Sequence, residues 1–356
     1  MQYNNPHHFP DHECTSWMLL PELTGGCMLL HKNRDSSQKD IRLIKSDTDA
    51  AVKWLGLGDE FPCMGFNEKG IACVMNSGEL THEIAPPADG RLTTPEILVQ
   101  ILGNAENADV ALKMLTGFIE NGQYTHKDRG SIFFIMDTAG GYIAELTARR
   151  VMPVRVSGAM TIRANIWHNP GMAQFSINKI DSTLNSMSRE FQAAMGLNAA
   201  LRQNGVIELE DVWRTSRMRG TMESVKTEHG LCNDTTNSAA TIAIDRDFPD
   251  ILSTMYAAIG PVGHTMYVPA PICLEEIPQD IADRTWSKAA FARREAHGMA
   301  FDSSVWTLHE QTVMSIYRPA LEKAKESMRG GCRKDAKDIL KNAFQKCCEI
   351  ARKAVL

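Results

Sequence analysis

Cys14, in the stretch Glu13-Cys14-Thr15-Ser16-Trp17, and the charged run Lys32-Asn33-Arg34-Asp35 are the residues whose types and spacing best suit joint chemistry. A cysteine attacks as its thiolate and needs a base or a positive charge nearby to become one. Cutting the Glu13–Cys14 peptide bond would free such a base, the α-amino group of Cys14. Its ordinary pKa of about 7.7–8.0 suits proton transfer near neutral pH. Asp35 is then placed to orient and hold the ammonium form, and Lys32 or Arg34 to favour the thiolate. A buried strand cysteine beside a charged turn accounts for the same spacing, so both readings stand at this point.

The elements that would bring these residues together are legible. Ser16–Leu20 is rich in apolar residues, Pro21–Gly26 is turn-forming, and Cys27–Leu30 is apolar again. That pattern predicts a β-hairpin with the cysteine opening its first strand and the polar tetrad closing its second. Arms of near-equal length bring both open ends to one sheet edge. Further strands are predicted at Ile41–Ile44, Ala51–Leu57, Cys63–Phe66 and Ile71–Met75. Asn67-Glu68-Lys69-Gly70 forms a tight turn in which Gly70 takes positive φ.

Cys-Thr-Ser, a hairpin and then Lys-Asn-Arg-Asp-Ser resemble the start of the N-terminal-nucleophile (Ntn) amide hydrolases, the superfamily of choloylglycine hydrolases, acid-ceramidase-like amidases and penicillin acyltransferases. Lys32 stands where arginine is commoner there, which keeps the charge and loses the planar fork. Gly65-Phe66-Asn67-Glu68-Lys69-Gly70-Ile71-Ala72, followed by Val74-Met75-Asn76, resembles the family's second signature. The resemblance implies that Asn76 lends its amide to an oxyanion hole, where donors must face developing negative charge. Arg163-Ala164-Asn165 resembles a third block and implies that Asn165 positions the substrate carbonyl or completes that hole. In this chain Ile166 follows the asparagine and His168 comes later, a departure from the family's pattern. Ser188-Arg189 matches a helix whose arginine is directed toward the nucleophile. The blocks run in family order over about residues 14 to 268. Thr241 and Asn237, in the end block, are weaker candidates.

Helices are predicted over 93–122 in two pieces, started by Thr93 or Thr94-Pro95 with Glu96 and by an Asn107 cap. Others are expected at Ser182–Gln203, Glu208–Met218, 303–328 and 335–354. Strands recur from Ser131 to Val156, from Ala159 outward to Asn165, and between Cys232 and Val268. The pattern supports a mixed α+β domain with antiparallel sheet. The resemblance implies a four-layer α/β/β/α sandwich. The expected organisation is a leader (1–13) removed by self-processing, a catalytic domain (14–280) and a helical extension (281–356) docking on the body or on a second subunit.

Composition narrows the partners. Of 356 residues 43% are apolar and 23% charged, with net charge −5, so no global field recruits nucleic acid or an anionic membrane. The last 38 residues carry ten Lys/Arg against five Asp/Glu, a local basic surface. Nine cysteines without paired spacing argue against a disulfide framework or a structural zinc site. His7-His8 has no companion ligands at fixed spacing. No apolar run of membrane-spanning length and no signal peptide is visible, so a cytoplasmic location is expected.

The function expected is hydrolysis or acyl transfer at a linear amide, through a thioester on Cys14 and without metal or organic cofactor. A cysteine dipeptidase of the related type and a non-catalytic binding protein on the same fold are the alternatives. Trp17, Met18, Phe61, Phe66 and Trp167 either line an apolar acyl pocket or fill a core.

Overall fold

The computed structural model describes residues 13–126, 128–220, 230–298 and 301–356. Among them the strands are β1 (Cys14–Leu19), β2 (Met28–Asp35), β3 (Arg42–Lys45), β4 (Trp54–Gly58), β5 (Pro62–Asn67), β6 (Ala72–Leu80), β7 (Arg129–Asp137), β8 (Gly140–Leu146), β9 (Val151–Arg155), β10 (Met160–Arg163), β11 (Thr236–Ile244), β12 (Thr254–Ala258) and β13 (Tyr267–Pro271). The helices are α1 (Pro21–Thr24), α2 (Thr94–Asn104), α3 (Ala108–Glu120), α4 (Pro170–Ala173), α5 (Ile180–Asn204), α6 (Leu209–Ser216), α7 (Pro249–Leu252), α8 (Gln279–Ala282), α9 (Thr285–His297), α10 (Val305–Arg329) and α11 (Arg333–Val355).

Two antiparallel sheets lie face to face. One has the order β10-β1-β2-β11-β12-β13, the other β3-β4-β5-β6-β7-β8-β9. Helices α2 and α3 cover the outer face of the second sheet, where Ile97, Leu98 and Ile101 meet Ile71, Phe133 and Ile135. Helices α5, α6, α10 and α11 cover the first sheet from its other side. This is an α+β fold in the four layers α/β/β/α. Both faces of each inner strand are therefore covered, which is why β1 and β5 are buried along their whole length instead of alternating.

Local signals explain how the layers close. The Thr93/Glu96 capping box starts α2, and Asn107 accepts from Val110 N to start α3. Gly70 turns at φ +83°, and the Asn67 side chain receives Lys69 N and Ile71 N, each at 3.0 Å. Its amide donates to the Leu102 and Ala105 carbonyls at the end of α2, so one asparagine fastens a hairpin to a helix. A Cβ on Gly65 would stand 2.6 Å from Leu102 Cδ1; glycine there lets α2 approach β5.

Several elements differ from the sequence reading. The polar tetrad closes β2 as expected, but β6, expected to end at Met75, continues past Asn76 to Leu80. The strand expected from Ala159 outward to Asn165 is β10, which leaves the sheet of β7 to β9 and pairs with β1 in the other. The short helices α4, α7 and α8, and the longer α9, carry no signal that the reading picked up. On α11 one stripe, Ala336, Leu340, Ala343, Phe344, Cys347 and Ala351, is buried against the body. Arg217, at the end of α6, forms an ion pair with Glu310 of α10 at 2.6 Å. All nine cysteines are free thiols. No helix among the described residues is long and apolar enough to cross a membrane.

Candidate active site

The register of the first hairpin sets the site. Cys14 pairs with Arg34, Thr15 with Asn33 and Ser16 with Lys32. Successive strand residues face opposite ways, so the tetrad is divided between the two sides of the sheet. Lys32 and Arg34 share the side of Cys14 and Ser16, toward the second sheet. Lys32 Nζ donates to Met75 O at 2.7 Å and to Asn76 Oδ1 at 3.0 Å, while Arg34 pairs with Asp59 at 3.0 Å. Asn33 and Asp35 face the helices. The Asn33 amide holds the Ser216 and Leu231 carbonyls. The Asp35 carboxylate accepts from Thr236 Oγ1 at 2.6 Å and from Asn233 Nδ2 at 3.2 Å.

Arg189, fully buried on α5, ties the nucleophile candidate to the far side of the site. Its Nη1 donates to Cys14 O at 2.7 Å and to Thr15 Oγ1 at 3.0 Å. Its Nη2 donates to Asn165 Oδ1 at 2.9 Å. Two carboxylates share its charge, Glu13 at 3.5 Å and Asp35 at 3.9 Å. Burial pushes the Asp35 carboxyl up to about 6, with Arg189 and the Thr236 hydroxyl pulling it down and Glu13 adding to the rise.

Asn165 Oδ1 also accepts from Cys14 N at 2.9 Å. That nitrogen is a peptide N–H in the intact chain; it occupies the place an α-amino group would take in a chain beginning at Cys14. The other end of Asn165 donates to Ser77 O at 2.8 Å. Asn76 uses its amide on the Arg163 and Ala164 carbonyls and accepts through Oδ1 from Ser16 and Lys32. Cys14, Asp35, Asn165 and Arg189 are thus joined by one set of contacts, and Lys32 and Asn76 by a second that reaches Ser16 and the Ala164 carbonyl beside Asn165. Asp35 enters the first set through Arg189, not through a bond to Cys14 N.

Cys14 is 5% exposed and borders a cavity of about 600 Å³, whose wall includes Lys32, Arg34, Asp35, Met75 and Arg129. The Arg34 Nη1 group is buried without a hydrogen-bond partner among the described residues. A second thiol on the wall, Cys63, is pushed up by burial, with Arg34 and Lys32 opposing. Near neutral pH that thiol stays protonated.

Other candidates lie elsewhere. Trp17, Met18 and Phe66 are wholly buried core, Trp167 is nearly so, and Phe61 is exposed; none borders the cavity. Thr241 bonds His31 Nδ1 at 2.8 Å and Asn237 donates to Gln38 O. His168 pairs with Glu190 at 2.9 Å. His7 and His8 lie outside the described residues, as does all of the expected leader except Glu13. No group of three or more His, Cys, Asp and Glu able to hold a metal occurs among the described residues.

The sequence reading passed over the side chains of Glu13, Ser16 and Asn185. Asn185 Nδ2 donates to Glu13 Oε2 at 2.7 Å, and Asn185 Oδ1 accepts from Arg189 Nε at 3.2 Å. The available signals were Asn185 one helical turn before Arg189 and Ser16 two residues after Cys14 on a strand.

No protein-family model and no curated protein matches the chain. Among solved structures it is similar to a variant of the conjugated bile acid hydrolase from Clostridium perfringens. That likeness has a TM-score of 0.50 at 14% identity, over 74% of this chain and 94% of that one. A mutant structure of the same hydrolase gives a TM-score of 0.46 at 14% identity, over 72% of this chain and 92% of that one. Penicillin V acylase from Agrobacterium tumefaciens gives the same TM-score and identity, over 72% of this chain and 86% of its own. The Ntn-hydrolase fold is what the chain shares with the first of these.

Proposed function

We propose that the chain is a self-processing cysteine amide hydrolase or acyltransferase of the Ntn type. One observation carries this reading: Cys14 N rests on Asn165 Oδ1 at 2.9 Å, and Cys14 O on Arg189 Nη1 at 2.7 Å. The residue is therefore held at both of its backbone ends while its side chain borders a cavity.

In the intact chain the Cys14 sulfur attacks the Glu13 carbonyl carbon. Asp35 N–H already donates to that carbonyl at 2.7 Å, which polarises it. The C–N bond breaks, the nitrogen takes the thiol proton, and water discharges the resulting thioester. In the processed chain the freed amine, positioned by Asn165, takes the thiol proton of Cys14 and sulfur attacks a linear amide. The ammonium then protonates the leaving nitrogen. Lys32 and Arg34 bring positive charge to the thiolate's side of the sheet. To hold the oxyanion, Asn76 exchanges one of its two carbonyl bonds for the substrate oxygen. Asp35 keeps Arg189 in place from behind. Water or a second amine discharges the thioester, giving hydrolysis or transfer.

Intact mass tests this. The wild-type protein should lose residues 1–13, and Cys14→Ala should keep them. A wild-type chain that keeps every residue and still cleaves amides would show that the free amine is not the base.

A further inference from the structure

The carboxylate of Glu13 is bound more carefully than a discarded leader requires. It is 7% exposed, accepts from Asn185 Nδ2 at 2.7 Å, and lies 3.5 Å from the Arg189 guanidinium. Both partners stand one turn apart on α5 and are themselves almost wholly buried. A leader residue chosen only for removal has no need of a charge-matched pocket, because burying a carboxylate is costly unless it is paired.

Self-cleavage and turnover pass through the same kind of intermediate. In the first, the Glu13 acyl carbon is transferred from the Cys14 nitrogen to the Cys14 sulfur, and the nitrogen takes the thiol proton. In the second, a substrate acyl carbon is transferred from its amide nitrogen to the same sulfur, and the leaving amine carries off the proton. Water closes both, releasing a carboxylic acid and restoring the thiol. The first acyl group that this sulfur carries is thus a glutamyl group with its side chain on Asn185 and Arg189. Once the leader departs, the Asn185 amide loses its acceptor and Arg189 loses one of the two carboxylates that neutralise it. An anion of the same reach would restore both.

Resting on the self-processing reading above, we infer that the enzyme selects acyl groups with a carboxylate three carbons beyond the scissile carbonyl's α-position, glutaryl or glutamyl amides, and that Asn185 is the residue that specifies it. Charge-assisted hydrogen bonds to a buried carboxylate are the strong ones, so the preference over a neutral acyl group of equal length is about tenfold or more.

The processed enzyme is assayed on glutaryl and pentanoyl p-nitroanilides, which share their amine half. A glutaryl kcat/KM at least about tenfold higher supports the inference, as does loss of that preference in Asn185→Asp with the pentanoyl amide still cut. Glu13→Leu gives an identical processed enzyme, so it probes the pocket without altering the product. Its leader loss should be about tenfold slower than wild type. Cleavage of both amides without preference overturns the inference and leaves the amide-hydrolase reading intact. Leader loss with neither amide cut also overturns it. A chain that keeps its leader and cuts neither amide fails the amide-hydrolase reading itself.

Discussion

Two buried arginines show how differently one fold uses the same side chain. Arg217 meets Glu310 through both Nη atoms, at 2.9 and 2.6 Å, and gives its remaining donors to the Val262 and Thr265 carbonyls. Glu310 in turn accepts Tyr267 N at 2.8 Å. That pair is closed: one cation, one anion, forked geometry, and it joins α10 to the first sheet. Arg189 is more deeply buried and faces two carboxylates, neither in a fork, and spreads its donors over Cys14, Thr15, Asn165, Asn185 and Ser186. A closed pair fixes architecture, whereas the divided one gathers the groups whose charge or covalent state changes in the proposed reaction.

The contrast can be broken by experiment. Glu310→Gln leaves a guanidinium buried without its anion, and a loss of about 3–5 kcal/mol of stability is expected. Urea unfolding measures it, while activity per folded molecule should be unchanged; a collapse of activity at full stability would put Arg217 in the wrong class. Arg189→Lys keeps the charge but abandons several bonds that fix Cys14 and Asn165. Displacements of an ångström cost about 100-fold, so leader loss should slow by about that factor while circular dichroism still reports a folded chain. A variant that processes normally would remove Arg189 from the site.

The smallest effect concerns pH. Asp35, pushed up to about 6, takes a proton as the pH falls through that value, and Arg189 then loses one of its anions. Leader loss should slow on that interval. Stability should move the other way: the native state binds this proton at higher pH than the unfolded chain does, so the Asp35 contribution grows as pH falls from about 6 toward 4. Comparison with Asp35→Asn isolates both limbs, and an unchanged acid limb in that variant would assign it to another group.

What the sequence disclosed follows the range of the interactions. The hairpin, the Thr93/Glu96 and Asn107 caps and the Gly70 turn are set by neighbours a few residues apart, and they were readable. The alternation of Lys32 and Arg34 against Asn33 and Asp35 follows from period two once the strand is placed. The crossing of β10 to β1 was not readable, because four residues pairing across more than a hundred carry no local mark. Arg189 and Asn165 are candidates through family resemblance alone; periodicity shows only a helix and a strand end. Asn185 escaped because its meaning depends on Glu13, and Glu13 looked like the end of a leader.

β1 is an inner strand, bonded to β2 on one side and β10 on the other. Chain ends ordinarily fray, since their last residues have few neighbours. A terminus created at Cys14 would be born already paired with Arg34 of β2, with Arg189 on its carbonyl and Asn165 on its nitrogen. On the proposed reading, scission there would change what the nitrogen can do while Asn165 still holds it, and no later ordering step would stand between the cut and a working amine.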